Sequence, residues 1–582
     1  MTLVRSSRGE GVDEGPPALE GDLSWPTDMH GGSRTPRKAT GDGLGGDLSW
    51  PTDMGGGSAP VSATCTEAWI PGLLGMPPAV GTRSRAGTSG LGRNVAALTG
   101  GQLATWTMTI AWTLVVPRLL GPSQMGVLVM GWSVSAVLGV VLGLGARSYL
   151  VREMVARPER GPGLVGTTVV LRLCLVPVFA MAAVLYSHLA RLTPDASLVL
   201  YLATGATVFL LLAEPWQAAF QAREQMHYLA MSDVVSKSAQ GLAGIVIALL
   251  GFRAAGLTAC WMVTCGCVVV LDAWWLRRLM PVDFRTSVGK MRTLFRDSAP
   301  YYASGTAYMV YLWIDSAMLA VLAPARVVGW YGVPTKLFTT LMFVPVIVST
   351  AWLPRLVSAF ERGPESLRRV ARTPVELVFV LALPICVGTA MLAGSAIHVL
   401  YGPLYLPSVP VMRILALTIP LMYLSIILNQ VVIAADRPMA WTWIMVTAAV
   451  VNPALNLVLI RRYQASAHNG AIGAALALLL TEAVVLLLGL VTARRQVRLT
   501  HSMRRFFRTG LAAMSMWAAM YMSARIGFVV EGVVGFVVYA FLVVLLRAVP
   551  DDAVRALAQL ITAKSRLRSG RPLRREPQAA RP

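Results

Sequence analysis

Between residues 94 and 548 the chain contains about fourteen apolar stretches, each long enough to cross a lipid bilayer. A spanning helix needs roughly 20 mostly apolar residues, because the hydrocarbon core of a bilayer is about 30 Å thick. Every backbone polar group in that core must be satisfied within the protein, and a helix does this within one segment. The pattern predicts an all-α polytopic membrane protein. The predicted spans are residues 95–117, 124–147, 166–187, 197–220, 229–251, 255–276, 298–323, 328–353, 373–398, 409–434, 439–461, 470–493, 508–524 and 527–547.

Basic residues are distributed unequally between the two sets of connecting loops. Loops on one side, together with the adjoining ends of their spans, carry 23 lysines and arginines, whereas the loops on the other side carry seven. Cytoplasmic loops of membrane proteins collect positive charge, so the 23 mark the cytoplasmic side and predict cytoplasmic termini. The net charge of +22 therefore lies in loops and tails. We expect its partners to be anionic membrane lipids and not nucleic acid.

The predicted domain organisation follows from composition and from the number of spans. Residues 1–93 are rich in Gly, Pro, Ser and Thr, a composition that predicts a disordered cytoplasmic tail. The remaining predicted units are 94–280 with spans 1–6, 281–495 with spans 7–12, 496–548 with spans 13 and 14, and a basic cytoplasmic tail at 549–582. Below, the second and third units are called the N-lobe and the C-lobe.

Two pairs of short segments are similar at a separation near 200 residues. The segment at 222–226 resembles that at 435–439, and the segment at 120–126 resembles that at 323–329. Each pair occupies matching loops after the same number of spans. Since six spans restore the starting side, we expect two parallel, pseudo-symmetric six-helix lobes around an axis along the membrane normal, with a central cleft between them.

Charged residues within or at the ends of spans are the candidates for function, because burying an unpaired charge in a bilayer is costly. Lys237 and Lys336 lie too deep to reach the head groups easily, which favours a water-filled cavity. Several cations in one cleft suit an anionic substrate such as a phosphate or pyrophosphate. The predicted substrate-binding residues are Arg118, Arg147, Lys237, Asp315 and Lys336.

Other charged residues in the spans carry separate expectations. Glu482 is the acid nearest the middle of its span and is the candidate for coupling transport to an ion gradient. Arg172 lies close enough to an interface for its long stem to extend to the head groups. Asp315 and Glu214 are expected to pair with basic residues.

No enzyme motif was found in the sequence. The predicted external loops are short, and Gly289-Lys290 is followed by Met291, so this is not a nucleotide-binding P-loop. Cys265-x-Cys267 has no matching His or Cys pair, so we expect no metal site. We predict a transporter and not an enzyme, without a cofactor, driven by protons, sodium or the substrate itself.

A set of motifs resembles the oligosaccharide flippases (Wzx-type) of the MOP superfamily, in the polysaccharide transport branch. Their order and spacing over most of residues 94–490 carry the resemblance. The motifs are Gly101-Gln102, Pro117-Arg118-Leu119-Leu120-Gly121-Pro122 with Gly126, Leu144-Gly145, Arg152-Glu153, Ile314-Asp315, Val328-Gly329-Trp330-Tyr331-Gly332, Lys336-Leu337, Tyr401-Gly402 with Tyr405, and Asn452-Pro453-Ala454-Leu455-Asn456.

This resemblance implies a MATE-like fold, alternating access, and movement of a polyprenyl-pyrophosphate-linked oligosaccharide from the cytoplasmic to the outer leaflet. It implies a multi-pass protein of the bacterial inner (plasma) membrane that serves surface polysaccharide synthesis, with other polysaccharide-assembly membrane proteins as candidate partners. The residues alone leave two alternatives open, a lipid II flippase and a MATE-type gradient-driven exporter of small amphiphiles.

Overall fold

The computed structural model describes residues 88–143, 145–497 and 502–550, and these residues form helices without a strand. The predicted N-terminal tail lies outside the described residues except for 88–93, as does the predicted C-terminal tail beyond 550. Helices of the N-lobe are α1 (Thr88–Leu138), α2 (Val140–Gly143), α3 (Ala146–Ala156), α4 (Gly161–Leu189), α5 (Pro194–Ala222), α6 (Met226–Leu249) and α7 (Ala254–Leu279). Helices of the C-lobe are α8 (Val288–Leu322), α9 (Ala325–Leu341), α10 (Phe343–Glu361), α11 (Pro364–Tyr401), α12 (Val409–Ala434), α13 (Pro438–Ala467) and α14 (Gly470–Ala493). Two more helices follow, α15 (Met503–Ser523) and α16 (Phe528–Leu545), and short 3₁₀ helices cover Pro158–Arg160 and Pro403–Ser408.

The predicted membrane spans coincide with these helices. Within the described residues, 11 helical stretches are long and apolar enough to cross a membrane. Helix α1 carries the first two predicted spans, while α6 and α15 have spanning length but a more polar composition. The all-α polytopic fold with about fourteen spans is therefore confirmed.

The second predicted span, 124–147, is less regular than expected. Helix α1 is broken at Gly121, whose φ of 73° is a left-handed value that glycine adopts without strain. The helix then ends at Leu138, and Gly145 takes a second left-handed conformation with φ 57° before α3 begins. A Cβ at Gly145 would lie 2.3 Å from the backbone nitrogen of Tyr302, so only glycine allows α8 to approach here.

One turn recurs in both lobes with the same hydrogen bonds. Glu224 and Asp436 have φ values of 58° and 57°, just after α5 and α12. The following amides, of Gln225 and Arg437, donate to carbonyls five residues earlier at 2.9 and 3.1 Å. Both turns are Schellman caps. Glu224 and Asp436 are 212 residues apart, whereas the similar segments 222–226 and 435–439 are offset by 213. The shared turn confirms that these two segments are equivalent connections.

The second repeated segment forms the contact between the lobes. A Cβ on Gly126 would lie 1.7 Å from the carbonyl oxygen of Ala325, and a Cβ on Gly329 would lie 2.0 Å from that of Pro122. Gly329 lies 203 residues after Gly126, and Ala325 lies 203 residues after Pro122, so the two contacts are the same contact with the repeats exchanged. Such an exchange of partners is the signature of a two-fold interface. The two repeats therefore meet about a pseudo-two-fold axis at α1 and α9.

Helix neighbours repeat in the same way. In the N-lobe α1 packs on α6, α4 on α5, and α5 and α6 on α7. In the C-lobe α8 packs on α13, α11 on α12, and α12 and α13 on α14. The additional pair α15–α16 packs against α11, where Tyr539 donates a hydrogen bond to the carbonyl of Val380 at 2.6 Å.

Candidate functional site

Lys336 lies where the two lobes meet. It is on α9 of the C-lobe, is half-buried, and directs its ammonium toward two tryptophans of α1 in the N-lobe. The Nζ atom lies 5.8 Å from the ring centroid of Trp112 and 5.5 Å from that of Trp132. A cation over an aromatic face gains about 0.5–2 kcal/mol, depending on how far it is desolvated. Within the described ranges no carboxylate forms an ion pair with Lys336, so its charge is available to an anionic ligand.

The tryptophans under Lys336 belong to a larger aromatic group. Trp112 and Trp132 stack with centroids 5.6 Å apart, and Trp261 of α7 meets Trp132 edge-on at 5.5 Å. Trp112 packs against Gly244 of α6, where a Cβ would lie 3.0 Å from the indole nitrogen. The aromatic group is therefore held by three helices of the N-lobe, and it gives Lys336 a fixed surface.

Arg118 lies near the junction of the lobes on the side predicted to be external. Its side chain is exposed. The preceding residue, Pro117, accepts a 2.9 Å hydrogen bond from the buried hydroxyl of Tyr405, which belongs to the 3₁₀ helix of the C-lobe. Arg118 is thus a surface cation beside a contact that joins the lobes.

Arg147 and Lys237 lie in the half of the N-lobe that is predicted to be cytoplasmic, near a carboxylate that the sequence did not single out. Asp233 and Lys237 are four residues apart on α6, so they share one helix face. Asp233 also interacts electrostatically with Arg147 at the start of α3. The Nε atom of Arg147 is buried and has no hydrogen-bond partner among the described residues. The spacing Asp233-x-x-x-Lys237 was the sequence signal for this pair.

Asp315 is buried among neutral hydrogen-bond donors of the C-lobe. It is 3 % exposed and accepts from the Tyr331 hydroxyl at 3.2 Å and from Asn456 Nδ2 at 2.6 Å. Asn456 is in turn bonded to the side chain of Asn452 at 2.8 Å. The expected pairing of Asp315 with a basic residue is wrong for the part of the chain that is described. Asp315 instead joins α8, α9 and α13.

Glu482 is enclosed between α14 and α8. It is 2 % exposed, and its Oε1 accepts a hydrogen bond from Tyr311. Its Oε2 has no partner among the described residues. Glu482 therefore has one oxygen free to take up a proton, in surroundings that contain tyrosine hydroxyls and no ion-paired cation within the described ranges.

The prediction that Arg172 extends to the head groups is wrong. Its side chain is 1 % exposed and donates to the carbonyls of Leu211 and Gly143 and to Glu214 Oε2. The ion pair with Glu214 measures 2.7 Å. The basic partner that we expected for Glu214 is thus Arg172, in the interior of the N-lobe. Because both groups are committed to each other, we leave Arg172 out of the candidate site.

Asp272 is a second acidic residue that sequence analysis missed. It lies on α7, is fully buried, and its Oδ2 accepts from Gln217 Nε2 and Ser232 Oγ, both at 3.2 Å. Its Oδ1 has no hydrogen-bond partner in the described part of the chain. Ser232 directly precedes Asp233 on α6, and the carboxylates of Asp233 and Asp272 repel each other electrostatically. Asp272 lies only seven residues before the end of α7, so its place in the sequence suggests a position near the membrane surface.

In these positions the candidate cations fall into two groups. Lys336 and Arg118 lie at or beside the contact between the lobes, and Arg147 and Lys237 lie together in the N-lobe. Among the described residues, no group of three or more His, Cys, Asp or Glu side chains could hold a metal ion.

Comparison with known proteins adds to this geometry. A family described as polysaccharide biosynthesis proteins matches residues 91–360. The "Probable low-salt glycan biosynthesis flippase Agl15" of Haloferax volcanii is 21% identical over 371 residues, which cover 63% of this chain and 76% of that protein.

Two solved structures share the fold. The lipid II flippase MurJ in an inward closed conformation aligns with a TM-score of 0.65 and 13% identity, over 77% of this chain and 98% of that one. A multidrug resistance MATE family transporter of the MOP superfamily, in an inward-facing conformation, aligns with a TM-score of 0.53 and 14% identity, over 67% and 95%. The chain therefore has the fold of the MOP-superfamily membrane transporters, and the resemblance to polysaccharide flippases that its motifs indicate is confirmed.

Proposed function

We propose that the protein is a flippase that moves a polyprenyl-pyrophosphate-linked oligosaccharide from the cytoplasmic to the outer leaflet of the bacterial plasma membrane, for surface polysaccharide synthesis. The observation that carries the proposal is the position of Lys336. A cation without a carboxylate partner in the described residues lies between the lobes, on the tryptophans of the opposite lobe. A transporter that alternates its access needs its binding groups there, because only this region is reached from both sides.

Pyrophosphate chemistry suits this position. A lysine ammonium binds phosphate oxygens as a compact, movable charge with three donors. The cation–π contact of Lys336 with Trp112 and Trp132 is weak enough to be replaced by an ionic contact with a doubly charged ligand. The indole faces left behind provide flat apolar surfaces for the sugar rings next to the pyrophosphate. The isoprenoid chain stays in the lipid, because it is as apolar as the hydrocarbon core.

The remaining cations extend the pathway. Arg147 and Lys237 would receive the pyrophosphate from the cytoplasmic side, and Arg118 would attract it as the external side opens. Rocking of the lobes about the α1–α9 contact would transfer the site between the two leaflets. Asp315 and Glu482 lie in buried networks of the C-lobe, and for these we propose a structural role and a candidate proton-coupling role, respectively.

The test begins with a deletion of the gene and mass spectrometry of extracted polyprenyl-linked sugars. We expect a glycan-loaded lipid to accumulate and the surface polymer to disappear. Complementation with Lys336→Gln should leave the defect in place, Lys336→Arg should repair it in part, and Lys290→Gln in an exposed cytoplasmic segment should repair it fully. The double variant Lys336→Gln and Arg147→Gln should abolish export at normal protein level.

Three results would overturn the proposal. Full export by the double variant would exclude a pyrophosphate site at these cations. An unchanged lipid pool in the deletion strain, together with new sensitivity to cationic dyes, would favour a gradient-driven exporter. Accumulation of the peptidoglycan precursor lipid instead of another glycan would identify a lipid II flippase.

A further inference from the structure

A second contact between the lobes lies at the opposite end of the second predicted span from Gly126. Arg152 of α3 in the N-lobe donates a hydrogen bond from its guanidinium to the hydroxyl of Tyr301, on α8 of the C-lobe, at 2.6 Å. The ring of Tyr149 lies beside the same tyrosine, with ring centroids 6.4 Å apart. This end of the span is predicted to be cytoplasmic. The lobes therefore meet on both sides of Lys336 in this structure.

The backbones of the two lobes also approach closely at this contact. A Cβ on Gly145, just before α3 begins, would lie 2.3 Å from the backbone nitrogen of Tyr302 and 2.5 Å from the backbone carbonyl carbon of Tyr301. Gly145 and Arg152 belong to two different sequence motifs, and both contact the same short segment of α8. One contact between the lobes thus accounts for both motifs.

The corresponding arginine of the C-lobe makes no such contact. The offset of 203 residues that relates the glycines of the other contact also relates the ends of α1 and α9, Leu138 and Leu341. It pairs Arg152 with Arg355. The guanidinium of Arg355 lies over Trp352 of its own helix, 5.5 Å from the ring centroid, and within the described ranges it forms no hydrogen bond to the N-lobe. Arg355 is therefore a matched comparison for Arg152.

We propose that Arg152 is a further pyrophosphate-binding residue, and that the arrival of substrate at Arg152 releases the contact between the lobes; this rests on the proposed function. In the structure the guanidinium donates to a neutral phenol oxygen. A phosphate group offers the same guanidinium two charged oxygens, and charge-assisted bidentate bonds are roughly twice as strong as neutral ones. Pyrophosphate therefore replaces the bond that joins α3 to α8. The lobes then separate on the side predicted to be cytoplasmic.

Arg152 is accessible while the cleft is closed. Its side chain is exposed, whereas Lys336 lies between the lobes. Glu153, the next residue in the sequence, forms ion pairs with Arg157 and Arg160 at 2.8 and 3.3 Å. An approaching anion thus meets a carboxylate whose charge is already balanced. The pyrophosphate reaches Arg152 first, and it reaches Lys336 only after the lobes have separated.

The experiment measures the distance between α3 and α8 in the full-length protein in lipid nanodiscs. In a background without native cysteines, spin labels are attached to Val155→Cys on α3 and Thr293→Cys on α8, both at exposed positions. Pulsed electron paramagnetic resonance then gives the distribution of distances between the labels. Tyr301→Phe removes only the hydroxyl, so the population at longer distance should rise roughly 2–13-fold relative to the short one, which is the effect of one hydrogen bond.

Addition of inorganic pyrophosphate tests the release of the contact. We expect it to shift the natural protein toward the longer distance, while chloride at the same ionic strength does not. Arg152→Gln should populate the longer distance without ligand and should not respond to pyrophosphate. Arg152→Lys keeps the charge but not the bidentate geometry, so its response should be partial. Arg355→Gln, the matched control, should respond like the natural protein.

Three outcomes overturn the inference: an unchanged distance in Tyr301→Phe, a full response to pyrophosphate in Arg152→Gln, and an equal response of the natural protein to chloride. Failure of the proposed function looks different. If Lys336→Gln leaves pyrophosphate affinity unchanged while the shift in distance still depends on Arg152, the proposed central site fails and the Arg152 site stands.

Discussion

A methyl group added at Gly126 should separate the two lobes on the side predicted to be external. The new Cβ would lie 1.7 Å from the carbonyl oxygen of Ala325, whereas ordinary contact begins at 3.4 Å. The obstacle is backbone, so no side-chain rotation relieves it, and α1 and α9 must move apart by about 1.7 Å at this point. Overpacking of this kind costs about 1–3 kcal/mol. The population of the closed arrangement, relative to that of an open one, should therefore fall by a factor of roughly 5–150.

The measurement is the reaction of a buried cysteine with a thiol reagent that cannot cross the membrane. Val129 is 8 % exposed and packs against Gly332 of α9, one turn deeper than Gly126. In a background without native cysteines, Val129→Cys should react roughly 5–150-fold faster when Gly126→Ala is present, because reaction requires the lobes to separate.

The matched control is Gly394→Ala on α11. A Cβ there would meet nothing within 4 Å, so the substitution should only favour the helix, by about 1 kcal/mol. Labelling of Val129→Cys should then stay at its original rate. Equal labelling rates in the Gly126→Ala and Gly394→Ala proteins would refute the reasoning, because the methyl group at Gly126 would then not separate α1 from α9.

Three further substitutions should change the free energy of unfolding, measured by chemical denaturation in detergent. Glu376 is a buried acceptor for Arg372, Arg505 and Ser502, and it connects α11 to α15. Glu376→Ala should therefore lower the free energy of unfolding by about 3–5 kcal/mol. The control, Glu365→Ala at an exposed position, should lower it by less than about 1 kcal/mol. Arg172→Leu should cost a similar 3–5 kcal/mol, and adding Glu214→Leu should recover most of it; no recovery would mean that the pair is not the source. Tyr405→Phe leaves the Pro117 carbonyl without its donor and should cost about 1–3 kcal/mol, with exposed Tyr521→Phe as the neutral comparison.

The helices and the repeat could be predicted because they depend on local composition. An apolar stretch of the right length becomes a helix in a bilayer whatever it contacts, and six spans per repeat fix the relation of the lobes. The segments at 120–126 and 323–329 were identified from their letters, and they form the reciprocal glycine contact. The sequence did not reveal why these segments are similar. Each glycine lacks a side chain, and this lets the backbone of the opposite segment approach closely.

Side-chain partners were harder to predict, because they depend on the rotation of each helix about its axis. Depth alone placed Arg172 near the head groups, yet it points inward to Glu214. Depth also placed Asp315 with basic residues, yet Asn456 and Tyr331 of other helices provide its hydrogen bonds. Asp272 was missed for the opposite reason, since a position near a helix end does not exclude complete burial. Spacing gives the face of one helix, but not which neighbour covers that face.

The two-fold relation between the lobes extends the Gly126 experiment in a way that separates it from a local defect. Gly329 is the same position in the second repeat, and its Cβ would lie 2.0 Å from the Pro122 carbonyl oxygen, so Gly329→Ala should accelerate labelling to a similar degree. Each substitution is relieved by the same separation of α1 and α9. Once one methyl group has forced that separation, the second finds space already made, and the double variant should cost less than the sum of the two. Strictly additive effects would mean that the two contacts open independently, and the α1–α9 interface would then not move as one symmetric unit.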